Sequence, residues 1–140
     1  MKIKSPINER IVTLWIFVII TPITNAQFVK LHDFTGTSDG YYPEGGLYYD
    51  GTFLYGTTYY GGTYNAETIF KIKSDGTNYS RLFDFSSSNG SNPWLGSLIS
   101  DGTFLYGMTF SGGVNTYDGV IFKIKPDGTN IQGCMIFRIL

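Results

Sequence analysis

Residues 52–59 alternate in character: Phe53, Tyr55, Thr57 and Tyr59 fall on one side of an extended chain, and Leu54, Gly56 and Thr58 on the other. A period of two predicts a β-strand. The run TIFKIK at 68–73 alternates as well, with Phe70 and Ile72 on one face and Lys71 and Lys73 on the other, as in a half-buried strand. Short apolar runs at 28–34 (FVKLHDF), 47–49 and 79–85 (YSRLFDF) predict three more strands. Asp50-Gly51 separates the run at 47–49 from the run at 52–59, and Asp75-Gly76 separates 68–73 from 79–85. This dipeptide tolerates positive φ and marks a hairpin.

The series then runs again. The heptapeptide DGTFLYG, starting at Asp50, recurs letter for letter from Asp101, a period of 51 residues. VIFKIK at 120–125 answers TIFKIK, and PDGT at 126–129 answers SDGT, at a spacing of 52 because the preceding loop is one residue longer. Leu82, Asp84 and Phe85 match Leu31, Asp33 and Phe34. A Gly/Ser-rich loop follows each of these segments and ends at Pro43 or Pro93. Gly56 and Gly107, inside strands, predict the close approach of a neighbouring backbone, or a bulge.

Four short antiparallel strands in about 50 residues is the size of one propeller blade. The expected fold is therefore all-β: about two four-stranded antiparallel, propeller-like blades in tandem repeats over residues 27–130. After Asn130 the pattern fails, and residues 131–140 match nothing in the first copy. This divergent tail is expected to mark an array cut short, with a divergent closing strand as the alternative.

The first 26 residues have a different character. Lys2, Lys4 and Arg10 precede a continuous apolar run at 11–20, and Thr24-Asn25-Ala26 offers small residues where a signal peptidase reads. Pro22 interrupts the run before it reaches the roughly 20 residues of a membrane span. The segment reads as a signal peptide cleaved after Ala26, which predicts a secreted, extracellular or cell-surface protein with no membrane span once the leader is gone. Losing three basic residues and one acid takes the net charge from −1 to −3. No Lys/Arg run or basic patch remains, so no nucleic-acid partner is expected. Cys134 is the single cysteine, so no intrachain disulfide can form and stability must come from packing.

The succession DGTFLYGTT…GG, IFKIK-x-DGTN and LFDF resembles the GloVer-type (choice-of-anchor) extracellular tandem repeats of bacteria, over nearly all of 28–130. The resemblance implies an exported protein whose repeats build a β-propeller. It transfers no activity and no catalytic residues. The family carries more copies than the two seen here, together with anchoring or sorting regions. Two blades alone leave outer faces exposed, so either the chain is a piece of a larger array or several copies form a homo-oligomer that completes a propeller.

The chemistry-bearing residues are few. His32, the single histidine, has Phe83 at its place in the other copy, which favours a structural role. Asp50, Asp75, Asp101 and Asp127 each stand alone before Gly-Thr. Turn formation accounts for them better than calcium, which needs six or more oxygens. No catalytic residue, cofactor or metal is expected. Among the aromatics, Tyr55 reads as core and Tyr59 as strand packing. Tyr60, Tyr64 and Trp94 stand at loop edges and are the candidate ligand-binding residues, with a carbohydrate as the ligand that suits exposed aromatic faces. The expected function is a secreted, non-enzymatic repeat module for binding or scaffolding. A small lectin that oligomerises into a propeller is the alternative. A polysaccharide-acting enzyme ranks last, because Asp33 and Asp84, the matched acids outside turns, occupy equivalent places and show no acid/base division.

Overall fold

The computed structural model describes residues 27–36, 38–86, 89–90, 96–112 and 118–137. Among them there is no helix, and so none long and apolar enough to cross a membrane. The leader and Trp94 lie outside the described residues.

The chain is all-β, in two four-stranded antiparallel sheets. Sheet 1 runs β1 (Tyr48–Tyr49), β2 (Phe53–Thr58), β3 (Thr68–Lys73) and β4 (Ser80–Asp84), each strand beside its sequence neighbour. Sheet 2 repeats the order with β5 (Ile99–Ser100), β6 (Leu105–Thr109), β7 (Gly119–Ile124) and β8 (Gln132–Phe137). Register repeats too: Leu54 lies opposite Ile72 and Gly56 opposite Phe70, as Leu105 lies opposite Ile124 and Gly107 opposite Phe122. Both sheets have an irregularity at the same place, between Ile69 and Phe70 and between Ile121 and Phe122.

The aspartates build the turns. Gly51 has φ 100°, and the Asp50 carboxylate accepts hydrogen bonds from the backbone N–H of Thr52 and Phe53, both at 2.7 Å. Its other oxygen accepts the Tyr55 hydroxyl at 2.7 Å. Asp101 does the same for Thr103, Phe104 and Tyr106. In the second hairpin of each sheet, Asp75 and Asp127 accept the backbone N–H and hydroxyl of Thr77 and Thr129. Each carboxylate thus pre-shapes its own loop, as Asx turns do.

Gly56 and Gly107 are close-approach positions, but the approaching group is a ring rather than backbone. A Cβ on Gly56 would stand 2.6 Å from Cζ of Phe70, and one on Gly107 would stand 2.5 Å from Cζ of Phe122. The cross-strand ring lies over the bare glycine and fills the space a side chain would take.

The core sits where the sheets meet. Tyr55 and Ile69 of sheet 1 cluster with Phe85, Leu98, Leu105, Phe122 and Ile124, all buried. Lys71 spans the junction: its ammonium donates to the Pro126 carbonyl at 3.0 Å and lies 5.0 Å from the centre of the Phe53 ring.

One expectation needs correction. Residues 28–34 do not form a strand. Their counterpart β4 is a strand because β3 offers it an edge, and no such edge precedes residues 28–34 in the described chain. The segment nonetheless packs on sheet 1 as β4 packs on sheet 2. Phe34 stands edge-on to Phe70 at 5.2 Å, as Phe85 does to Phe122 at 5.1 Å. A Cβ on Gly76 would meet the Leu31 carbonyl oxygen at 2.8 Å, and one on Gly128 would meet that of Leu82 at 2.8 Å. The tail does not match the first copy, yet Gln132–Phe137 forms β8 on β7, as a divergent closing strand would. An open strand edge accepts backbone from any sequence able to extend.

Candidate functional site

One end of sheet 1 carries a cluster of tyrosines. The loop that follows residue 34 crosses the end of β2, and Gly40 and Gly61 touch there closely enough that a Cβ on Gly61 would stand 2.4 Å from the Gly40 Cα. Beyond the crossing, Tyr41 and Tyr60 form an antiparallel bridge, with Tyr41 N–H donating to the Tyr60 carbonyl at 2.9 Å. Tyr59 N–H donates to the Tyr42 carbonyl at 2.9 Å. This short ladder brings four rings together. Tyr41 stacks on Tyr60 at 5.4 Å, Tyr42 stands edge-on to Tyr41 at 5.2 Å, and Tyr59 is perpendicular to Tyr60 at 4.5 Å. The Tyr41 hydroxyl donates to the Asn65 side-chain oxygen at 3.0 Å, tying the platform to the next turn. Tyr42 is 60 % exposed and Tyr64, beside Asn65, 65 %.

Tyr42 has φ 55°. A bulky residue in the left-handed region is uncommon and carries strain, which such clusters sustain when their surroundings over-determine the backbone. The neighbouring Tyr59 raises the pKa of Tyr60, which keeps the Tyr60 hydroxyl a neutral hydrogen-bonding group at ordinary pH.

Of the candidate residues, Tyr60 is in the cluster and Tyr64 borders it, while Trp94 is outside the described residues. Sequence reasoning missed Tyr41 and Tyr42, which belonged to a segment read as polar loop. Their signal was a paired Tyr-Tyr before Pro43 answered by Tyr59-Tyr60 before Gly61-Gly62. The second copy has Ser91-Asn92 and Phe110-Ser111 at these places, so the full tyrosine set belongs to one repeat.

His32, Asp33, Asp39 and Asp84 are engaged in structure. His32 stacks on Tyr79 at 4.1 Å, and its Nε2 lies 3.2 Å from Asp39, not Asp33. Burial alone would raise the Asp39 pKa, but hydrogen bonds from Thr35, Gly36 and His32 outweigh it and hold the carboxyl below its usual range. Asp33 pairs with Lys30 at 2.6 Å. Asp84 pairs with Arg81 at 2.7 Å and accepts the backbone N–H and hydroxyl of Thr63. Among the described residues no group of three His, Cys, Asp or Glu side chains is placed to hold a metal.

A second concave feature lies on the other face of sheet 1, a groove of about 370 Å³ between residues 28–34 and the sheet, lined by Leu31, Leu47, Leu54, Phe70 and Ile72 among others. Its wall is mostly apolar, with Lys30 and His32 also on the lining.

The Gloeobacter/Verrucomicrobia repeat family model matches residues 16–138. No curated protein and no solved structure matches the chain. With most of its length matched, the chain belongs to the Gloeobacter/Verrucomicrobia repeat family.

Proposed function

We propose that this member of the repeat family is an exported, non-enzymatic module for binding and scaffolding, part of a larger extracellular propeller-like array, and that carbohydrate is the ligand class of its tyrosine platform. The tyrosine cluster carries the reading. Phenol rings held by backbone pairing, with hydroxyls at their rims, present an apolar face and a polar edge at little entropic cost, which suits a sugar ring. Two stacked, register-matched four-stranded meanders support the propeller-like array, and the basic and apolar leader ending at Ala26 supports export to the cell surface. The ion pairs of Asp84 and its counterpart Asp33 with neighbouring cations support a reading without an acid/base pair.

A glycan array probed with the purified chain tests the ligand. Binding should fall about tenfold or more in Tyr60→Ala and in Tyr42→Ala, the loss expected for one stacking ring at about 1.4 kcal/mol, and less in Tyr64→Ala. Glycan binding indifferent to both cluster substitutions, or no glycan binding at all, would remove carbohydrate from the proposal.

A further inference from the structure

Within the chain, sheet 1 presents the face of Tyr55, Ile69 and Lys71 to the face of sheet 2 that carries Leu105, Phe122 and Ile124. The equivalents of the first set on sheet 2 are Tyr106, Ile121 and Lys123. That outgoing face stands open in the described chain: Ile99 is 66 % exposed and Met108 61 %, where Thr57, at the position of Met108, is 4 %. The equivalents of the second set are Leu54, Phe70 and Ile72, which line the apolar groove together with Leu47, itself 55 % exposed. The molecule therefore carries both halves of its own internal junction, one on each sheet, and neither is complete.

Two details go beyond shared hydrophobicity. Lys123 lies over the Phe104 ring at 4.8 Å, in the pose in which Lys71 lies over Phe53 while donating across the junction. Ser74, the equivalent of Pro126, offers the matching carbonyl. Residues 28–34 also repeat β4 down to its ion pair, Lys30–Asp33 at 2.6 Å for Arg81–Asp84 at 2.7 Å, yet stand outside any sheet. They already occupy, on sheet 1, the place that a preceding sheet's fourth strand would take.

We infer that the open face of sheet 2 docks head to tail onto sheet 1 of a second copy, repeating the internal junction, with residues 28–34 of that second copy taking the fourth-strand place on β7. The inference rests on the array part of the proposed function and is independent of the ligand. At the new junction Met108 and Ile99 cover the groove beside Leu47, Lys123 donates to the Ser74 carbonyl, and the ladder on β7 passes from β8 to residues 28–34. A heterologous contact either closes a ring or propagates. A ring of roughly four to eight sheets takes about two to four copies.

Complementation tests this. Met108→Glu disables the open face and Leu47→Glu the groove, and both residues are exposed, so each variant keeps its fold, as circular dichroism will confirm. By size exclusion with light scattering, the unaltered chain assembles at micromolar concentration. Each variant alone runs as a monomer, and the two mixed give a 1:1 dimer and nothing larger, because one good face and one good groove remain. In that dimer, amide exchange slows at residues 28–34 of the Met108→Glu copy. A wild-type monomer at all concentrations, assembly by either variant alone, a mixture that stays monomeric, or unchanged exchange at 28–34 would overturn the inference.

Discussion

Leu47 and Leu98 occupy the same place in their repeats, yet Leu47 is 55 % exposed and Leu98 3 %. Leu54 is half-buried, while its equivalent Leu105 is fully buried. The pattern inverts on the other faces, where Tyr55 is 2 % exposed and Ile69 0 %, but Tyr106 and Ile121 are only half-buried. Local sequence, turn chemistry and strand register are alike in the two sheets. What differs is the neighbour on each side. Burial in a repeat protein is thus set by the junction a residue faces, and stability accrues as terms per unit and per interface.

The largest test of this comparison pairs equivalent truncations. In the monomeric Met108→Glu background, Leu98→Ala should cost about 2–5 kcal/mol, the range for a buried leucine, and Leu47→Ala no more than about 0.5 kcal/mol, as at a surface. Urea midpoints at unchanged m-value measure both, and equal costs would mean that sheet 1 is covered on its groove side too. Glycine substitution comes next. Gly107→Ala forces a Cβ against the Phe122 ring, which the junction holds, and should cost about 1–3 kcal/mol. Gly56→Ala meets Phe70 and Leu47, and because Leu47 has open space to move into, the loss should be smaller.

Hydrogen bonding gives a finer comparison. Tyr55→Phe leaves Oδ2 of Asp50 without its hydroxyl donor at the junction and should cost about 1 kcal/mol. Tyr106→Phe breaks the equivalent bond where water can replace it, and should cost less. The smallest effect is acid sensitivity. The Tyr106 hydroxyl, then the backbone N–H groups of Phe104 and Thr103, hold Asp101 down to about 2 from an ordinary 3.8. Asp50 is lowered as well: burial opposes the shift, but bonds from Phe53, Tyr55 and Thr52 prevail. A depressed carboxylate stabilises the fold above its unfolded pKa, and that contribution disappears as pH falls through the folded one. Melting temperature should therefore decline as pH drops from about 4 toward 2, and Asp101→Asn should flatten part of the slope.

Much of the fold was legible because both the strands and their turns are local. TIFKIK forms β3 over the very residues expected, and the Asp-Gly pairs at Asp50, Asp75, Asp101 and Asp127 each cap a hairpin. What stayed hidden depends on partners that no local pattern reveals. Residues 28–34 have the letters of a fourth strand and no edge to join, whereas residues 132–137 lack those letters and pair because β7 stands open beside them. The candidate site was half legible for the same reason. Tyr60 stood out beside its glycines, but Tyr41 and Tyr42 matter only through a loop crossing between residues some 20 apart in sequence.

Each strand's ladder partner is its immediate successor or predecessor along the chain. Loop closure within a sheet is therefore cheap, and either meander can assemble before the junction does, so folding should be fast and hierarchical. The identical heptapeptides carry a hazard in that process. The hairpin starting at Asp50 presents the same backbone and nearly the same side chains as the one starting at Asp101, so β2 could pair with β7 at almost no local penalty. What favours the native partner is proximity along the chain: β3 follows β2 after a nine-residue connection, and β7 lies a whole repeat further on. In a crowded refolding mixture that advantage shrinks, and exchange of hairpins between chains becomes the characteristic error of this architecture.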